Sequence, residues 1–357
     1  MGMRAAVTTV GGLEVAELDE PVPGPGQVLV RTVACGICGS DLHAARDLRR
    51  FAALTAAVGG PGGLDPERGI VFGHEFCAEI VGFGPDTQRA LPEGTRVCSV
   101  PIVLGPSGPE GVGYSNRYPG GLAELMVLQE ALLLPVPEGL SSEQAALTEP
   151  MAVGEHAVNI ARLDGGEVCV VIGCGPIGLA VVAALKERGI APVIAADFSP
   201  TRRRLAGLLG ADEVVDPAAG SPYRRWAELG VPTGQMERAA LEMVGATIRG
   251  AVIFEAVGVP GVLQAIVREA PPRARIVVVG VCMETDSIEP FFASTKELEL
   301  RFAFGYSREE FGATLERLGR GRTPPELVTG VVGLEGVAAA FEALSSPGQH
   351  GKVLVKP

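Results

Sequence analysis

A chain of 357 residues with 47% hydrophobic and 20% charged residues is long enough for two ordinary domains with a sizeable core. That excludes a small disulfide-stapled fold. A formal net charge of −12 with no dense Lys/Arg block argues against a phosphate-binding stripe, and no nucleic-acid partner is expected. The 49 glycines and 28 prolines are in excess, but they stand beside strongly apolar runs and read as turns of a folded protein. Seven cysteines spread over this length do not make a disulfide framework, which points to metal binding, catalysis or burial in a reducing compartment. The N-terminal MGMRAAVTTVGGLEV lacks the apolar segment of a signal peptide, so a cytoplasmic location is expected.

In chain order, residues 1–150 give short strand-like runs broken by Gly and Pro, at 5–10, 27–34, 75–83, 96–103 and 123–128. Residues 44–70 are Gly/Arg-rich and only partly periodic, and 101–120 are nearly pure turn chemistry. The pattern turns helical over 141–161. Strands then alternate with helices: strands at 168–172, 193–196, 252–255 and 276–280, helices at 178–188, 200–209 and 261–269. Apolar strands alternating with helices predict a doubly wound parallel sheet, an α/β domain. It is expected at 153–292, inserted between 1–152 and 293–357 of a mostly β domain. Residues 168–185 carry no charge over 18 positions, the length of a membrane span. Gly173, Gly175, Pro176 and Gly178 within them favour a buried strand, a tight turn and a helix, and no membrane partner is expected.

Gly173-Cys174-Gly175-Pro176-Ile177-Gly178 is GxGxxG between a strand and a helical run. Such a turn needs a tight bend at the first glycine, open backbone at the second for a pyrophosphate, and close packing at the third. Asp197, at the end of the next strand, accepts hydrogen bonds from a free ribose diol and repels a 2′-phosphate, so NAD is favoured over NADP; a helix cap is its bland alternative. Arg202, Arg203 and Arg204 counsel the opposite or form a solvated helix face, with Arg202 near the adenosine ribose. Val257 and Gly280-Val281 end strands where open sheets of this kind bind ligands.

Cys35-Gly-Ile-Cys38-Gly-Ser40-Asp41-Leu-His43 is followed by Gly73-His74-Glu75 and, much later, by Glu149-Pro150. A lone CxxC reads equally as two small buried residues or a redox pair. With a thiolate, an imidazole and carboxylates on separate loops, zinc can be held with one position open, as a catalytic site requires.

Together CGICGSDLH, GHE, the Gly120–Glu124 motif, LTEPMAVGEHAV and GCGPIG with Asp197 resemble the medium-chain, zinc-dependent alcohol dehydrogenases over essentially the whole length. The pattern is nearer the polyol (sorbitol-type) and threonine dehydrogenase branch than the liver-type enzymes. The resemblance implies a Rossmann sheet inserted in a GroES-like catalytic domain, NAD as cofactor, and one catalytic zinc per chain. Cys38 and His74 would be ligands, Glu75 or Glu149 the third, Cys35 structural, and Asp41 the support of His74. Ser40 would accept the alcohol's proton and pass it toward His43, with a helix cap and a surface histidine as the plain alternatives. Lys352 would lie near the pyrophosphate or be a surface lysine. The implied reaction moves hydride reversibly between a secondary alcohol or polyol and NAD, with a small-molecule alcohol or ketone as partner. A threonine or primary-alcohol dehydrogenase, a zinc-free NADPH quinone or enoyl reductase, and a non-catalytic dinucleotide binder are the alternatives.

The chain also departs from the family. The lobe at 101–120 has no cysteine, so no structural zinc is expected there. Ala78 stands where glycine is usual, and Gly39 where some relatives hold an arginine. Residues 44–70 look like an insertion, either a lid or wall with Phe51 and Leu54 facing inward, or a surface helix. An apolar sheet edge at 276–292 and the resemblance together imply a homodimer or homotetramer.

Overall fold

In the computed structural model, which describes residues 2–59, 64–321, 325–345, 348 and 350–357, the uncharged run 168–185 divides as its glycines dictate. Val168–Ile172 is a strand, and Pro176–Glu187 is a helix that begins on its proline, where the missing N–H costs nothing. Among the described residues no helix is long and apolar enough to cross a membrane.

The strand Val168–Ile172 lies inside a six-stranded, all-parallel sheet whose spatial order is Glu213–Val215, Val193–Ala196, Val168–Ile172, Ala251–Glu255, Arg275–Val278, Glu299–Phe302. In chain order that is 3-2-1-4-5-6, and the order reverses beside Val168–Ile172, which is where such sheets take a dinucleotide. The central strands are buried on both faces, as their continuous apolar runs require. Two strands are additions to the sequence reading: the short Glu213–Val215, and Glu299–Phe302, the edge strand beside Arg275–Val278. The sheet therefore continues past 292. One compact unit comprises Pro150–Glu310, and the boundary expected at 292 moves accordingly. The edge expected at 276–292 moves with it, because Arg275–Val278 has a neighbour on each side.

The other unit comprises Met1–Glu149 and Phe311–Pro357. Its main sheet runs Val328–Val332, Lys352–Val355, Gln27–Gly36, Glu75–Phe83, Arg96–Ser99, Leu133–Pro135, with Leu125–Gln129 also paired to Gln27–Gly36. Register places Gly36 opposite both Glu75 and Leu354, so three distant segments meet at one end of the sheet. The 101–120 lobe is not all loop. Ile102–Gly105 and Gly108–Gly111 form a hairpin around a two-residue turn at Pro106 and Ser107, with Gly108 at φ +118°. Residues 44–70 contain the helix Leu48–Ala57; residues 60–63 of that segment lie outside the described residues.

Candidate active site

The Gln27–Gly36 strand delivers Cys35 and, just beyond it, Cys38 at the start of the helix Gly39–Arg46. Asp41 in the first turn of that helix accepts from the Cys38 backbone N–H through Oδ2 at 3.0 Å. This carboxylate satisfies one of the donors a helix start leaves open. The cap position is Cys38, so Ser40 is not the cap.

Glycines make the room. Gly73 has φ +105°, and a Cβ on it would lie 2.7 Å from Cys35 Sγ and 2.8 Å from Leu122 N. A Cβ on Gly36 would lie 2.0 Å from Glu75 Oε2. Only glycine lets the buried Glu75 carboxylate occupy that place.

Cys38, His74 and Glu75 converge, with their ligand atoms all within 4.8 Å of one another. His74 and Glu75 are buried, at 7% and 0% exposure. His74 Nδ1 is 3.4 Å from Asp41 Oδ1, and this buried nitrogen has no hydrogen-bond partner among the described residues. Burial disfavours the imidazolium, but the charges of Asp41 and Cys38 outweigh it and hold the His74 pKa above its ordinary value. A thiol sulfur, an imidazole nitrogen and a carboxylate oxygen brought together in one largely buried place are donors that fit zinc, and with Nδ1 facing Asp41 the other ring nitrogen is left to bind it. Glu149, the other expected ligand, stands in the first turn of the helix Thr148–Ala161 and lies outside this group of three.

Lys352 differs from its expectation. It is 3% exposed, and its ammonium donates to Glu75 Oε1 at 2.7 Å, Glu75 Oε2 at 2.5 Å and Ile37 O at 3.0 Å. An ammonium has three donors and all are spent, so none remains for a pyrophosphate. Burial works against its charge, yet the facing Glu75 and Cys38 hold its pKa above the ordinary lysine value. Glu75 keeps further lone pairs for a metal because a carboxylate accepts at about four sites.

Tyr114 is a functional-site residue that sequence reasoning missed. Its hydroxyl lies 2.7 Å from Ser40 Oγ and 3.0 Å from Asp41 Oδ1. Its ring lies 5.0 Å from the His74 ring and 5.3 Å from that of Phe51. Burial, with the charges of Asp41 and Cys38 nearby, pushes the phenol well above its ordinary pKa, so it stays protonated. Phe51 thus faces inward as expected, while Leu54 is 40% exposed and does not. His43 is half-buried and three residues beyond Ser40 on the same helix, on the same face.

In the other unit the GxGxxG turn has the three separate properties such a site needs. Gly173 adopts φ +88°. A Cβ on Gly178 would lie 1.8 Å from Gly173 O, whereas one on Gly175 would meet nothing nearer than Arg202 Nη1 at 3.9 Å. The open side at Gly175, next to Pro176 and Ile177 at the helix start, leaves the backbone room a pyrophosphate needs. Asp197 Oδ2 accepts from Cys174 N and Oδ1 from Ser199 N, both at 2.7 Å. The cap of the helix Pro200–Leu208 is Ser199, not Asp197. Arg203 is held by the Asp197 and Phe198 carbonyls at 2.8 Å, and Arg202 Nη1 stands 4.0 Å from Asp197 Oδ2. Val257 and Val281 are 39% and 46% exposed on the turns that follow two central strands. The backbones of those turns touch, since a Cβ on Gly280 would lie 2.3 Å from Gly258 N. Glu255, also missed, braces the first turn by accepting from Val257 N at 2.7 Å and Gly258 N at 2.9 Å. Only its place at a strand end beside Val257 could have signalled it.

Residues 24–138 match the alcohol dehydrogenase GroES-like domain, and residues 176–320 match the zinc-binding dehydrogenase family. A (R,R)-butanediol dehydrogenase of Bacillus subtilis is 32% identical, covering 97% of this chain and 96% of that protein. A sorbitol dehydrogenase of the same organism is 27% identical, covering 99% and 97%. The crystal structure of 2R,3R-butanediol dehydrogenase from Bacillus subtilis superposes with a TM-score of 0.76 at 29% identity, covering 99% of each chain. The chain belongs to the medium-chain, zinc-binding alcohol dehydrogenase family. It is an oxidoreductase with a GroES-like domain and a Rossmann-type parallel sheet, and its cofactors are zinc and a nicotinamide dinucleotide.

Proposed function

We propose that the chain oxidises a secondary alcohol or polyol to the ketone with NAD, reversibly, using one zinc per chain held by Cys38, His74 and Glu75. The convergence of these three ligand atoms within 4.8 Å carries the reading, and the similarity to butanediol and sorbitol dehydrogenases supports the substrate class. Bound zinc supplies Lewis acidity that makes an alcohol easier to deprotonate, an effect of several kcal/mol. The chain's own residues do the rest. Asp41 steadies His74, Lys352 neutralises part of the Glu75 charge, Ser40 receives the alcohol's proton and His43 is its outlet toward solvent. Gly173, Gly175 and Gly178 hold the dinucleotide, Asp197 favours NAD over NADP through the free ribose diol, and Val257, Gly280 and Val281 flank the cofactor.

The protein works as a homodimer or homotetramer in the cytoplasm. Exposed Phe302 and Phe304, at 69% and 87% on and just beyond the edge strand Glu299–Phe302, support a second copy as the cover of that edge. The test is NAD-linked turnover across secondary alcohols, polyols and amino-alcohols, with zinc quantified before and after chelation. Turnover should fall with the metal and return with added zinc; a stripped protein that turns over at the original rate would sink the proposal.

A further inference from the structure

The Ser40–Tyr114–Asp41 contacts have a direction. A carboxylate without a proton only accepts, so the single Tyr114 proton goes to Asp41 Oδ1 at 3.0 Å. The tyrosine oxygen therefore meets Ser40 Oγ, 2.7 Å away, as an acceptor, and Ser40 must donate to it. With its own proton committed there, the Ser40 oxygen keeps only lone pairs for anything else that approaches. That is the polarity needed to accept a hydrogen bond from an alcohol, and as the alcohol's proton crosses to Ser40 Oγ the serine releases its own proton toward His43, so the hydroxyl stays neutral.

Tyr114 is well placed to impose this. Its ring is set among Phe51, Phe72 and His74 with centroids 5.3, 5.9 and 5.0 Å away. Its backbone N–H donates to Gly111 O at 3.2 Å. Two residues on, Asn116 ties the lobe to the neighbouring segment: its side chain accepts from Asp65 N at 2.7 Å and donates to Gly69 O at 2.6 Å. The phenol oxygen is thus a fixed point, and the Ser40 hydroxyl is the rotor it orients.

We propose that Tyr114 is a positioning residue for the dehydrogenase reaction, holding the Ser40 hydroxyl with its oxygen turned to accept the substrate's proton. This rests on the assignment of Ser40 as the proton acceptor. The cysteine-free lobe would then contribute to catalysis through one hydroxyl.

Tyr114→Phe removes that hydroxyl and keeps the ring. With 2,3-butanediol and NAD, kcat should fall about tenfold, the effect of one orienting hydrogen bond, with KM within about twofold. Zinc content by elemental analysis and NADH affinity by fluorescence titration should stay at wild-type values. Ser40→Ala should lower kcat by more than Tyr114→Phe does, and adding Tyr114→Phe to Ser40→Ala should cost less than about threefold more, because the tyrosine acts only through that serine. A wild-type kcat in Tyr114→Phe, or an equal Ser40→Ala loss in both backgrounds, would overturn the proposal while leaving the dehydrogenase reading intact. A fall in zinc content that accounts for the lost activity would overturn it too, since the hydroxyl would then serve the metal site's structure. A wild-type protein that oxidises no alcohol would remove both.

Discussion

At Cys38, His74 and Glu75 the protein gathers charge and soft donors where water is largely excluded, and surrounds them with Asp41 and Lys352. At Gly173, Gly175 and Gly178 it does the reverse, removing side chains so that backbone and a helix start present themselves. The first site depends on partners brought from far along the chain, and the second on six consecutive residues. Damage to the two should therefore look different: loss of metal or stability in one unit, loss of dinucleotide affinity in the other.

The largest effect is expected at Cys38. Cys38→Ser exchanges a soft thiolate for a weak donor, so zinc should be lost and kcat should drop at least roughly a thousandfold, in line with several kcal/mol of Lewis-acid stabilisation. NADH titration should be unaffected. A variant that kept its zinc and its rate would remove Cys38 from the metal site.

Lys352→Met comes next. Breaking a buried ion pair by removing one partner leaves the Glu75 carboxylate uncompensated, at about 3–5 kcal/mol. The melting midpoint of the purified enzyme should fall by about 6 °C or more. An unchanged midpoint would mean that Glu75 finds another partner, and the ion pair would lose its structural role.

Gly178→Ala tests the opposite construction. The new Cβ would lie 1.8 Å from Gly173 O, so the turn must open, toward the upper end of the ~1–3 kcal/mol typical of overpacking. NADH affinity should weaken roughly a hundredfold while zinc content is retained. Equal loss of zinc and NADH would erase the contrast between the two sites.

How much of this was legible in the sequence follows from the same contrast. The strand Val168–Ile172, the glycine turn and the helix Pro176–Glu187 are contiguous and strongly patterned, so they could be read directly. Cys38 and His74 were legible as candidate ligands through the family resemblance of their motifs, whereas the third ligand stayed open between Glu75 and Glu149 until the fold brought Glu75 to the other two. The Lys352–Glu75 pair was not, since its partners are 277 residues apart and only the pairing of Gly36 with both Glu75 and Leu354 brings their strands together. Tyr114 sits among turn formers, where no periodicity marks a residue as inward-facing. Glu299–Phe302 alternates polar and apolar residues without the continuous run of its neighbours, which concealed the sixth strand.

The smallest effect, and the finest test, is at Asp197. Its two oxygens already accept from Cys174 N and Ser199 N, so the carboxylate is fixed against the glycine turn before any dinucleotide arrives. A fixed negative charge there discriminates by repulsion of a 2′-phosphate as well as by bonding a ribose diol. Asp197→Ser keeps a short acceptor and removes the charge. NADH should bind about tenfold more weakly, on the order of one charge-assisted hydrogen bond, while NADPH binding improves because the repulsion is gone and Arg202, 4.0 Å from the lost carboxylate, is released toward the phosphate. Fluorescence titration with both dinucleotides reads the two changes separately. If NADH weakens and NADPH does not improve, Asp197 acts only by bracing the turn, and cofactor choice is set elsewhere; if neither changes, the carboxylate has no part in dinucleotide recognition.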